Sequence, residues 1–176
     1  MLKSVHFPDY ILKGKDWIPE LADFTIHYGD VVLIVSDIDT DRKGYNRELA
    51  RIFEEMGVTH ELILVGEEWL SIEEVKRLWS DCEWKHEPNV IISLGEARVM
   101  HFAKAISILA PYIGSLSELF EGKGHVKSTL PHLAVPLSST MNWMEELKLL
   151  IMKEEKTGQW VELMHKDLIP KVVVSL

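Results

Sequence analysis

Short apolar runs alternate along this chain with stretches in which apolar residues recur every three or four positions. The densest example is Pro88–Leu109. It opens with Val90-Ile91-Ile92-Ser93-Leu94, a run of the length and β-branched content expected of a strand buried on both faces. Gly95 breaks that run, and Val99, Phe102, Ala103, Ile106 and Leu109 then follow at helical spacing. A strand that turns into a helix through a glycine puts free backbone N–H groups and the positive end of a helix dipole at one point, which favours an anion there.

The same grammar repeats upstream. Phe7–Leu12 reads as a short edge strand, followed by Gly14-Lys15, and Asp16–Phe24 reads as a helix with Trp17, Ile18, Leu21 and Phe24 on one side. Gly29-Asp30 closes that unit. Val31–Val35 is a second continuous apolar run ending in Ser36-Asp37, and Ile38–Lys43 reads as a polar turn. A helix is expected from Tyr45 to Met56 with Leu49, Ile52 and Phe53 inward and Gly57 as its C-terminal cap. His60–Val65 is the next strand, and Ser71 with Glu74 forms a capping box for a helix carrying Val75, Leu78 and Trp79 towards Cys82.

Beyond Leu109, Gly114–Gly124 reads as loop and Leu133–Pro136 as a strand closed by its proline. Trp143–Met152 is amphipathic and open between helix and strand. Lys156-Thr157-Gly158 reads as a hairpin turn between two half-buried segments, and Val172-Val173-Val174 as a last strand. Strands alternating with helices predict an α/β fold, a parallel sheet with flanking helices, with a small β-hairpin near the C-terminus. No repeat, low-complexity tract or linker interrupts the pattern, so residues 1–176 read as one domain.

Composition narrows the function classes. The 28 acidic side chains outnumber the 19 basic ones, for a formal net charge of -9. That excludes a general nucleic-acid binder, which would present a basic face. Cys82 is the only cysteine, so no internal disulfide can form, and no apolar run approaches the length of a membrane span. The N-terminus has no signal-peptide pattern, and a soluble cytoplasmic protein is expected.

With these residues in view, the chain resembles the N-terminal nucleotide-binding domain of the iron-containing alcohol dehydrogenases, relatives of dehydroquinate synthase and glycerol dehydrogenase. Phe7-Pro8 with Tyr10–Lys15 is similar to the family's opening strand and glycine turn, and Gly29–Asp37 to its first Rossmann strand. Asn89–Ser107 resembles the strand, GGGS turn and helix, with Lys104 kept. Gly114-Ser115-Leu116, Glu121–Gly124, Leu130–Pro136, Lys156–Gly158 and Leu168–Val174 follow the family's course. The resemblance implies a Rossmann-like fold, an NAD or NADP cofactor, and oxidoreductase ancestry.

The family's functional motifs are altered. Gly95-Glu96-Ala97-Arg98 stands where GGGS is expected, and His101 where an aspartate is usual. After Pro136, Leu137-Ser138-Ser139-Thr140-Met141-Asn142-Trp143-Met144 replaces a TTAGTGSE-like loop. The family's all-helical domain, with its aspartate and three histidine metal ligands, has no counterpart in these residues, so the resemblance implies no metal site here and no dehydrogenase activity from this chain alone.

The candidate cofactor-binding residues are therefore Asp37, Gly95, Glu96, Ala97, Arg98, Ser138 and Ser139. Asp37 could bind a ribose or amide, or simply cap a turn. Arg98 could reach a phosphate, pair with Glu96, or form another surface salt bridge, and Ser138 and Ser139 could be ordinary loop hydroxyls. Asp37, Asp39, Asp41 and Glu48 fall at calcium-loop positions, but Arg42 stands where that loop needs glycine. Cys82 and His86 share a helical spacing without further ligands, and His101, His125, His132 and His165 show no metal-binding spacing. The alternative function is a non-catalytic regulatory or assembly module that has lost its cofactor. Partners expected are a dinucleotide and either a second copy or a separate helical protein, with no nucleic acid and no membrane.

Overall fold

The computed structural model describes residues 6–137 and 147–176. In chain order these form β1 (Tyr10–Lys13), α1 (Trp17–Thr25), β2 (Val31–Asp37), α2 (Ile38–Arg42), α3 (Tyr45–Met56), β3 (Thr59–Val65), α4 (Ile72–Asp81), β4 (Val90–Gly95), α5 (Ala97–Leu109), α6 (Leu116–Phe120), β5 (His132–Pro136), β6 (Leu149–Lys153), β7 (Trp160–Met164), a 3-10 turn (Lys166–Leu168) and β8 (Val172–Ser175). Six strands make one parallel sheet in the order β1-β8-β5-β4-β2-β3. β6 and β7 pair separately as an antiparallel hairpin. The α/β, Rossmann-like reading holds, hairpin included.

The apolar runs fill the sheet centre because both faces are covered. Val32, Ile34, Ile92, Leu94 and Val135 point to one side, against Trp17, Ile18 and Leu21 of α1 and Leu49 and Phe53 of α3. Leu33, Val35 and Ile91, one residue out of phase, point to the other, against α4, α5, α6 and the hairpin. The strand period of two thus splits each run between two cores. α5 is the most enclosed helix: every residue from Val99 to Leu109 is buried. That explains its apolar character on all sides, which a surface helix would lack.

Local signals behave as their chemistry dictates. The Ser71 hydroxyl accepts from the Glu74 N–H, and the Glu74 carboxylate accepts from the Ser71 N–H. Gly57 closes α3 at φ 70°. Two expectations need correction. Ile38–Lys43 is not merely a polar turn, because Asp37 accepts from the Thr40 N–H at 2.7 Å and starts the short helix α2. Gly114–Gly124 is not all loop, because Leu119, 1% exposed, docks α6 into the core. Of the ambiguous Trp143–Met152 segment, the part from Leu149 onward lies in strand β6, and residues 143–146 lie outside the described residues. No helix among the described residues is long and apolar enough to cross a membrane.

Candidate functional site

Strand order creates the site. β2 leads outward to β3 at the sheet edge, and the chain then returns across to place β4 on the other side of β2. The order reverses between β2 and β4, and in open α/β sheets the crevice beyond the strand ends at such a reversal is where ligands bind. β2 and β4 run in register, with Ser36 opposite Leu94, and the Ser36 hydroxyl donates to the Leu94 carbonyl at 3.0 Å. This sets Asp37 and Gly95, the last residues of the two strands, side by side.

Their fit is close. Gly95 has φ 151°, a conformation that side-chain-bearing residues rarely adopt. A Cβ there would strike the Asp37 Oδ2 atom and lie 2.8 Å from Val99 Cγ2. The glycine is therefore required by its own neighbours, before any ligand is considered. Asp37 is 7% exposed, and its other oxygen caps α2. The capping role is thus realised, and the carboxylate still borders the crevice.

The crevice is a cleft of about 240 Å³ at the ends of β2, β3 and β4. Asp37, Glu96 and Arg98 line it, together with Asp39, Thr40 and Lys43 from α2 and its turn, Gly66 and Glu67 after β3, and Leu137 after β5. Glu96 is exposed, takes the N-cap position of α5 and makes no side-chain cap bond. Arg98 does not pair with Glu96, and it makes no surface salt bridge among the described residues. Its Nη1 donates instead to the Glu67 backbone carbonyl at 2.6 Å, and its Nε–H is shielded from solvent with no acceptor among the described residues. Gly95 and Ala97 shape the turn without lining the cleft. Ser138 and Ser139 lie outside the described residues. Thr40, Lys43, Gly66 and Glu67 were missed by sequence reasoning. Their signal, a position just past a strand end, becomes useful only once strand order is known.

Several of the other candidates have structural partners. Of the calcium-like acids, Asp37 caps, Asp39 pairs with Arg42 at 3.4 Å and Asp41 accepts from Asn46. Among the described residues no group of three or more His, Cys, Asp or Glu is arranged to hold a metal ion. His101 is 2% exposed, and its Nδ1 accepts from the Ile151 N–H of the hairpin. Burial, followed by the nearby Lys104 charge, lowers its pKa from 6.5 to about 4. His132, hydrogen-bonded to Ser93 at 2.6 Å, is lowered by the same causes to about 3. Both are neutral core residues at physiological pH.

A family model described as iron-containing alcohol dehydrogenase matches residues 8–175. Among solved structures, the NADH-dependent butanol dehydrogenase A of Thermotoga maritima superposes with a TM-score of 0.82 at 21% identity, over 98% of this chain and 44% of that one. The sulfoacetaldehyde reductase of Bifidobacterium kashiwanohense, solved with NAD+, gives 0.82 at 17% identity, over 99% and 46%. An alcohol dehydrogenase from Oenococcus oeni gives 0.82 at 17%, over 98% and 45%. At these identities the likeness is one of fold, and the chain spans less than half the length of the structures it matches. No curated protein matches it. The family model, which spans almost every residue, carries the assignment: this chain belongs to the iron-containing alcohol dehydrogenase family.

Proposed function

We propose that this chain is a dinucleotide-binding unit whose ligand sits in the cleft beyond β2, β3 and β4. The observation that supports it most is the cleft's position at the reversal of strand order, with the Gly95 turn and the start of α5 at its edge. The residues present fit the anionic part of such a ligand: α5 starts without a side-chain cap, and Arg98 holds a buried N–H that lacks an acceptor among the described residues. A bound nicotinamide cofactor supplies hydride chemistry. This chain's contribution is to bind and orient it, with Asp37 bordering the cleft beside the phosphate-facing turn.

The charge of the cleft favours NAD over NADP. Four carboxylates, Asp37, Asp39, Glu67 and Glu96, line it against two cations, Lys43 and Arg98. An extra 2′-phosphate would enter a net negative site. Calorimetric titration with NADH and NADPH tests both statements. Saturable NADH binding with weaker NADPH binding is expected, and no heat from either at millimolar concentration would sink the proposal.

A second reading has its own observation. Glu96 puts a carboxylate on the α5 turn, and Arg98 is already engaged by Glu67, as would suit a regulatory or assembly module without cofactor. Self-association belongs to either reading. Among the described residues no strand pairs with the outer edge of β1 or β3, and each exposes apolar side chains: Tyr10 and Ile11 on β1, Leu62 and Leu64 on β3. Sedimentation showing only monomer at high concentration would remove it. A reducing, cytoplasmic setting suits the free Cys82.

A further inference from the structure

Arg98 is set apart from the other paired arginines. Arg42, Arg51 and Arg77 each reach a carboxylate. Arg98 sits on the first turn of α5 at the cleft wall, with Glu67 and Glu96 lining the same cleft, yet it pairs with neither carboxylate. Among the described residues its one acceptor is a neutral carbonyl, and its buried Nε–H has none. A guanidinium presents five donors in a rigid fork suited to two oxygens of one phosphate. Here most of that capacity is unused at the point where the α5 N–H groups also lack a cap. The backbone route to a phosphate is narrowed by what stands in the turn, since Ala97 and Glu96 carry side chains where a bare glycine turn would let the ligand approach.

We propose that Arg98 is the anion-anchoring residue of this cleft. Its side chain exchanges the Glu67 carbonyl for a phosphate oxygen of a pyrophosphate-bearing nucleotide. The Arg98–Glu67 bond joins the β4–α5 turn to the β3–α4 loop, so it acts as a latch across the cleft that the ligand's charge opens. Lys43, which lines the same cleft, is the second cation available to the same group. The nucleotide identity rests on the reading proposed above; the phosphate contact does not.

The test titrates NADH and, separately, inorganic pyrophosphate into the 176-residue chain and its Arg98→Ala and Arg98→Lys variants. The Arg98 Nε–H resonance is followed by NMR, and circular dichroism checks the fold. Binding of both probes should weaken roughly tenfold or more in Arg98→Ala, partly recover in Arg98→Lys, and shift the Nε–H resonance at saturation. Unchanged affinity in Arg98→Ala, or an Nε–H signal that stays still at saturation, overturns the anchor while leaving nucleotide binding intact. Pyrophosphate held through Arg98 without NADH binding supports the anchor and removes the dinucleotide. Failure of the wild-type chain to bind either probe overturns both. If Arg98→Ala does not fold, the wild-type resonance and the lysine variant decide.

Discussion

Gly95 and Asp37 show how a motif residue can be held by its neighbours as much as by a ligand. The φ of 151° and the closeness of Asp37 Oδ2 both exclude a Cβ at Gly95. Gly95→Ala should lose stability on the order of 2–3 kcal/mol, and Asp37→Ala about 1 kcal/mol through the α2 cap. Combined, the two should cost less than their sum, because deleting the carboxylate removes one of the clashes. Denaturant unfolding of the four proteins measures this, and strict additivity would contradict the contact. The glycine was legible in the sequence as a break between strand and helix, but the reason for it was not. Asp37 is 58 residues away in the chain, and only the pairing of β2 with β4 brings the two together.

Two buried histidines give the chain a pH signature at the same scale. His101 and His132 have folded pKa values of about 4 and about 3, below the 6.5 of a free imidazole. The unfolded chain therefore binds more protons between these values. The stability linked to them is complete above pH 6.5 and is lost as pH falls through 6.5 towards the folded values. Between pH 7.5 and 5, each histidine should withdraw about 2 kcal/mol. Unfolding free energies that stay flat or rise over that interval would show that the histidines are not buried neutral.

At the scale of elements, the helix and strand grammar was largely readable. α3 begins and ends where its apolar period and Gly57 place it, and the Ser71–Glu74 box forms as its residues dictate. Ser71→Ala should cost about 1 kcal/mol in thermal or chemical unfolding; no change would mean that α4 starts by packing alone. α2 and α6 were hidden because five-residue helices have no period to detect. One is set by the Asp37 cap and the other by the burial of Leu119. The hairpin was legible from its turn, but its seat was not. His101 accepts from the Ile151 N–H and Lys104 donates to the Leu149 carbonyl at 3.0 Å, so α5 satisfies two backbone groups of β6 that β7 leaves over. His101 thus supports the hairpin from within α5.

For the whole molecule, the sequence pointed to the β4–α5 junction but could not show which loops it faces. The order β1-β8-β5-β4-β2-β3 sets the strand ends of β2, β3 and β4 around one cleft, and it brings Lys43, Gly66 and Glu67 into the same lining as Arg98. Nothing local in those residues marks them. The central claim, a nucleotide in that cleft, is tested most directly by mapping NADH-induced shifts in the backbone amide spectrum of the intact chain. Saturable shifts should concentrate at Thr40, Gly66, Glu67, Gly95 and Arg98. A spectrum unmoved by millimolar NADH, or shifts gathered around Trp17 and Tyr45 at the cleft beside β1 and β8, would contradict it.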